Sequence, residues 1–101
     1  MTQDPDFTTF VALIDIDEPN VQNIQEAASI WGDVKQEFEA VGASIEESYA
    51  TLGAFDFVVI FDGPSTETAF KADVILERHG LSVQTMEALD TTEFSKLVKD
   101  L

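Results

Sequence analysis

Apolar positions along the chain recur in steps that switch between two and three-to-four, and the switches divide it into strands and helices. Residues 7–16 alternate: Phe10, Ala12, Ile14 and Ile16 share one side and Val11 and Leu13 the other. That pattern predicts a strand with apolar residues on both faces at its centre. Asp17-Glu18-Pro19-Asn20 ends it and opens a helix, with Pro19 or Asn20 near the cap. From 21 to 41 the apolar residues Val21, Ile24, Ala28, Trp31, Val34, Phe38 and Val41 form one helical stripe, widened by Ala27. Gln25, Glu26, Asp33, Gln36 and Glu37 make the solvated side. Gly32 inside it costs about 1 kcal/mol relative to Ala, and Gly42 stops the helix.

Residues 43–52 read as a weaker strand whose Glu46-Glu47 pair suits a sheet edge, where charge discourages wrong pairing. Gly53-Ala54 then predicts a two-residue II′ turn into a second apolar strand over residues 55–61, rich in aromatic and β-branched side chains. Ser65 is the expected cap of a helix running through His79, with Glu67 in its first turn. Ala69, Phe70, Ala72, Val74, Ile75 and Leu76 supply its buried side, and Gly80 closes it. A fourth strand spans 81–89. Asp90-Thr91-Thr92-Glu93 reads as a capping box that launches a short helix carrying Phe94, Leu97, Val98 and Leu101.

The order β-α-β-β-α-β plus a terminal helix predicts an α+β, ferredoxin-like sandwich with an antiparallel sheet. At 101 residues, with no linker or low-complexity tract, the whole of 1–101 fits a single domain. In this arrangement the first and third strands are central and both long helices cover one face. Val11, Leu13, Val58 and Ile60 would then lie on the uncovered face, and a second copy is the simplest cover, giving a homodimer.

Charge changes the picture of the surface. Twenty acidic residues against five basic ones give a net charge of −15. Such a chain is repelled by nucleic acid and by anionic membrane. The acids are dispersed from Asp4 to Asp100 rather than gathered in a tail. Their mutual repulsion destabilises a compact fold in dilute salt and is screened at molar ionic strength, where the Debye length is about 3 Å. A salt-adapted, halophilic protein is the expectation. No Cys is present, so thiol chemistry is excluded, and a single His excludes a multi-histidine metal site within one chain. The first residues lack a basic and an apolar signal region, and no apolar run approaches the roughly 18 residues of a membrane span. A cytoplasmic protein without a cofactor is expected.

The run Tyr49-Ala50-Thr51-Leu52-Gly53-Ala54-Phe55-Asp56-Phe57-Val58-Val59-Ile60 resembles the signature of the GYD domain family. That signature runs tyrosine, two residues, leucine, glycine, any residue, tyrosine, aspartate and an apolar strand. Gly42 and Glu93-Phe94 also resemble family positions. The resemblance implies a small ferredoxin-like protein of the dimeric α+β barrel type. Phe55 stands where the family tyrosine is usual, so chemistry that needs that hydroxyl is not expected.

Three residues are candidates for ligand binding. Asp56, entering an apolar strand, is either a carboxylate at a cleft mouth or a strand-end acid accepting backbone N–H bonds. Tyr49, on the same side of a regular strand as Ile45 and Glu47, either lines an interface pocket or simply packs. His79, in the last turn of a helix, is either an acid–base group or a solvated helix end. Trp31 reads as core. Asp15, Asp17 and Glu18 have the oxygens for a hard cation, but such clusters arise freely in so acidic a chain, and no metal site is assigned. No phosphate loop or nucleophile motif is visible. The expected function is a small binding or structural module. The alternative is a small enzyme, monooxygenase-like by fold analogy, or a small-ligand sensor using a cleft between sheet and helices.

Overall fold

Strand β1 (Thr8–Ile16) runs through the middle of a four-stranded antiparallel sheet and sets the position of everything else. The structure, a computed structural model, describes residues 7–18 and 20–101, and all of Val21 but its side chain. Residues 1–6, Pro19 as a candidate cap and Val21 as a stripe side chain lie outside the described residues.

After β1 come α1 (Val21–Ser29), α2 (Trp31–Ala40), β2 (Ser44–Ala50), β3 (Phe57–Gly63), α3 (Thr66–Arg78), β4 (Leu81–Ala88) and α4 (Thr91–Leu97). The spatial order β2-β3-β1-β4 is the ferredoxin-like arrangement, with β1 and β3 central as the alternating pattern requires. The sheet is open, with β2 and β4 as its edges, so one chain does not close a barrel.

The core lies between the sheet and α2 and α3. Phe10, Ala12 and Ile14 from β1, Val59 and Phe61 from β3 and Leu81 from β4 meet Val34, Phe38, Ala72, Ile75 and Leu76 from the helices. Phe61 anchors it: the Phe38 ring meets it edge-on at 5.2 Å and the Phe10 ring stacks on it at 5.3 Å. Such ring pairs add roughly 0.5–1.5 kcal/mol beyond their burial.

Four local expectations are corrected. The single helix over 21–41 is two, broken at Ile30. Ser29 Oγ turns back to donate to the Glu26 carbonyl at 2.8 Å, a bond that competes with the helix ladder. Gly32 therefore falls in the first turn of α2 rather than mid-helix. Asn20 is the cap of α1, its Oδ1 accepting from the Asn23 N–H at 2.9 Å.

The two-residue turn at Gly53-Ala54 is a longer loop over residues 51–56. Gly53 does take the positive φ (114°) that the turn reading asked of it. The loop closes on Asp56, however, whose carbonyl accepts from the Thr51 N–H at 2.9 Å while its own N–H donates to the Ile14 carbonyl at 2.8 Å. Strand β3 begins one residue later, at Phe57 opposite Ile14.

On α3 the buried line is Thr68, Ala69, Ala72, Ile75 and Leu76. Phe70 and Val74, expected inside, stand 69% and 54% exposed on the flank. In β2 a register shift between Ile45 and Glu47 inserts Glu46 as a bulge. Ile45 pairs with Phe61 on the helix side, whereas Glu47 and Tyr49 pair with Ile60 and Val58. Tyr49 thus shares its face with Glu47 but not with Ile45, because one extra residue reverses the alternation.

Candidate functional site

Strand alternation sends Val11 and Leu13 of β1 and Val58 and Ile60 of β3 to the sheet face away from the helices. Register sets Val11 against Ile60 and Leu13 against Val58, and on the other side Val11 against Met86 of β4. Tyr49 of β2 lies beside Val58 and completes an apolar band across all four strands. The four central side chains are half-buried by one another, while Tyr49 and Met86 are exposed. Polar groups gather at the rim: Glu47 beside Ile60, Asp15 paired with Ser82, and Asp62, whose Oδ1 accepts from Thr9 Oγ1 at 2.8 Å.

The three ligand candidates occupy three separate places. Tyr49 stands at the β2 edge and also lines a recess of about 250 Å³ with Trp31, Ser48 and Phe57. The Trp31 indole meets Phe57 edge-on at 5.0 Å, so it packs at the margin of the core. Asp56 sits at the far end of β1, where its Oδ2 accepts the Ile16 N–H at 2.9 Å. That bond continues the sheet by one rung with a side chain in place of a strand.

His79 caps α3 and lines a groove of about 460 Å³ with Asp17, Glu18, Glu26, Ile30 and Arg78. Its Nε2 donates to Glu37 Oε1 at 2.9 Å, and Arg78 donates to Glu37 Oε2 at 3.1 Å. Glu37, read from its spacing as a solvated residue, therefore ties α2 to the end of α3. Asp17, also on this groove, accepts from Ser82 Oγ. Among the described residues no group of three or more His, Asp or Glu side chains is arranged to hold a metal ion.

Asp73 was missed by the spacing argument because its partner is remote. It lies on α3 facing β4, accepts from Thr85 Oγ1, and lines a recess of about 170 Å³ with Phe10, Phe70 and Glu87. Burial raises its pKa above 3.8; the Thr85 bond opposes the rise and the neighbouring Glu77 charge adds to it. A single acid beside the buried line of α3, between Ala72 and Ile75, was the one available signal.

No helix among the described residues is long and apolar enough to cross a membrane.

Comparison with known proteins agrees with the fold. The GYD domain family model matches residues 10–98. The fold is similar to that in a crystal structure of methylated RPA0582 protein, at 12% identity and a TM-score of 0.50, over 85% of this chain and 83% of that one. It is similar also to the RPA0582 protein of unknown function from Rhodopseudomonas palustris, a structural genomics target, at 13% identity, a TM-score of 0.50 and 84% coverage of each chain. No curated protein matches the chain.

Proposed function

The chain belongs to the GYD domain family, and we propose that it works as a homodimeric binding module, self-associating through the open face of its sheet. The observation that carries this reading is the apolar band of Val11, Leu13, Val58 and Ile60, flanked by Tyr49 and Met86 and left uncovered by any helix among the described residues. Covering a half-buried aliphatic side chain gains roughly 1 kcal/mol, about half of what full burial gives. Four of them contribute roughly 4 kcal/mol, at the low end of the 4–15 kcal/mol that association costs. The flanking side chains must add to this for a stable pair.

Two copies of a −15 chain repel each other. The rim acids Glu47, Asp15 and Asp62 are the groups that meet first, and molar salt screens them. Dispersed acidity supports a salt-adapted protein working at high ionic strength, in the cytoplasm of a halophilic cell. Sedimentation equilibrium in dilute buffer and in molar KCl tests both parts. The expected result is a dimer that tightens with salt and is lost in Ile60→Asp, whose side chain points away from the core. A monomer at every salt concentration would sink the dimer reading.

A second reading, a small-ligand sensor, rests on the groove beside His79. Its volume of about 460 Å³ is within the range of ligand sites, roughly 300–1,000 Å³. Its lining of Asp17, Glu18 and Glu26 favours a cationic ligand. Thermal shift with small amines, compared between the native chain and His79→Ala, tests it: no shift with any amine removes the groove from consideration.

A further inference from the structure

The groove at the end of α3 is lined by three kinds of group. Arg78 and His79 close α3, Asp17, Glu18 and Glu26 bring carboxylates from the end of β1 and from α1, and Ala27 and Ile30 add apolar surface. Glu37 of α2, outside that lining, holds both bases in place, at 3.1 Å from Arg78 and 2.9 Å from His79 Nε2. Its bond to Arg78 takes one of the five guanidinium donors and leaves the others. With Nε2 donating to Glu37, the neutral His79 ring presents Nδ1 as an acceptor. On the acidic side, Ser82 takes one oxygen of Asp17 and Gln22 one oxygen of Glu26. Among the described residues the second oxygen of each accepts no hydrogen bond.

We infer that this groove takes an amino acid with a cationic side chain, of the lysine or ornithine kind. The inference rests on the ligand-sensor reading of the groove and names the class of ligand. A simple amine uses the carboxylates and leaves Arg78 without a partner in the ligand. An amino acid with a neutral side chain engages Arg78 but leaves the acids in excess, because Glu37 already neutralises that guanidinium. A cationic amino acid matches every part of the lining. Its carboxylate accepts from Arg78, for which a planar guanidinium is the fitting donor. Its α-ammonium donates to His79 Nδ1, and its side-chain cation meets the free oxygens of Asp17 and Glu26. Its methylene stem covers Ala27 and Ile30, as long charged side chains cover apolar surface.

The test is isothermal titration calorimetry of the full chain in molar KCl. Salt at that level screens the general attraction of any cation to a −15 chain and leaves contact hydrogen bonds to be read. Three probes differ by one group each: free lysine, norleucine without the side-chain ammonium, and the diamine cadaverine without the carboxylate. Lysine should bind roughly 10-fold or more tightly than either, the worth of one charge-assisted hydrogen bond. Arg78 is exposed, so Arg78→Gln leaves the core intact. It should weaken lysine by roughly 10-fold or more and leave cadaverine unchanged. Cadaverine equal to lysine, or lysine unaffected by Arg78→Gln, overturns the inference while the amine-sensor reading stands. Norleucine equal to lysine overturns the requirement for a side-chain cation, and with it the inference. No binding of lysine or of any amine overturns the inference and the sensor reading together.

Discussion

Replacing Asp56 separates a structural carboxylate from a ligand-binding one. Its Oδ2 accepts the Ile16 N–H at 2.9 Å, at a point where β1 has run past the start of β3 and no strand remains to pair on that side. Ile16 is buried, so its N–H has no ready alternative in water. Asp56→Ala removes the acceptor and leaves that donor unsatisfied, at a cost of about 1–3 kcal/mol. For a domain of this size each kcal/mol moves Tm by roughly 4–8 °C, so a fall of at least about 4 °C is expected. Asp56→Asn keeps a carbonyl oxygen in the same place and loses only the charge assistance, about 0.5–1.5 kcal/mol.

The backbone contacts of Asp56, to Thr51 and Ile14, survive both changes because neither uses the side chain. Removing one acid from a −15 chain also relieves repulsion in dilute buffer, which would mask the loss. Thermal melts therefore belong in molar KCl, where that repulsion is screened. Amide hydrogen exchange supplies the local readout: Ile16 should lose protection in Asp56→Ala and keep most of it in Asp56→Asn. An alanine variant that melts with the wild type and protects Ile16 equally would refute the side-chain rung and return Asp56 to the list of free carboxylates.

Three further outcomes follow from the same structure. Tm should rise with KCl up to about 1 M, as the Debye length shrinks from about 10 Å to about 3 Å, and a flat response would show that the dispersed acids do not strain the fold. Gly63→Ala should cost about 1–3 kcal/mol, because the added carbon would meet Thr68 Cγ2 at 2.8 Å and its Cβ at 3.1 Å; an unchanged melt would mean that α3 yields at no cost. Asp73 binds its proton more tightly folded than unfolded, so it opposes folding once ionised, and this share of stability is recovered as pH falls through its raised pKa toward 3.8. Asp73→Asn should consequently have a higher Tm than the wild type at pH 7 and a flatter Tm-against-pH curve below it, and parallel curves would refute the assignment.

The architecture was legible in the sequence because it is written in local periodicity. Alternation in β1 and β3, the capping residues Asn20 and Asp90, and the breaks at Gly42 and Gly80 each act within a few residues, and spacing finds them. The open face was legible for the same reason, since Val11, Leu13, Val58 and Ile60 are apolar where a one-sided sheet would carry polar groups. What spacing did not find depends on partners far along the chain. Glu37 looks solvated until Arg78 and His79 arrive from another helix. Asp56 was legible as a strand-end acid accepting a backbone N–H, but the donor, Ile16 on β1, lies 40 residues away and spacing does not name it. The bulge at Glu46 reverses Tyr49 against Ile45 through pairing with β3, which the composition of β2 does not record.

These misses bear on function in one direction. Tyr49, Asp56 and His79 were each chosen for standing out from their immediate neighbours, and such a choice carries no information about convergence. The fold sends them to a sheet edge, the end of β1 and the end of α3, each with a local environment of its own. The apolar residues of the open face, unremarkable one at a time, are instead gathered by strand register onto one surface. Register sums many weak side chains into one binding area, whereas a catalytic set needs a few strong ones aimed at a point. Among the described residues the distribution is of the first kind, and the proposed pairing through the open face rests on it.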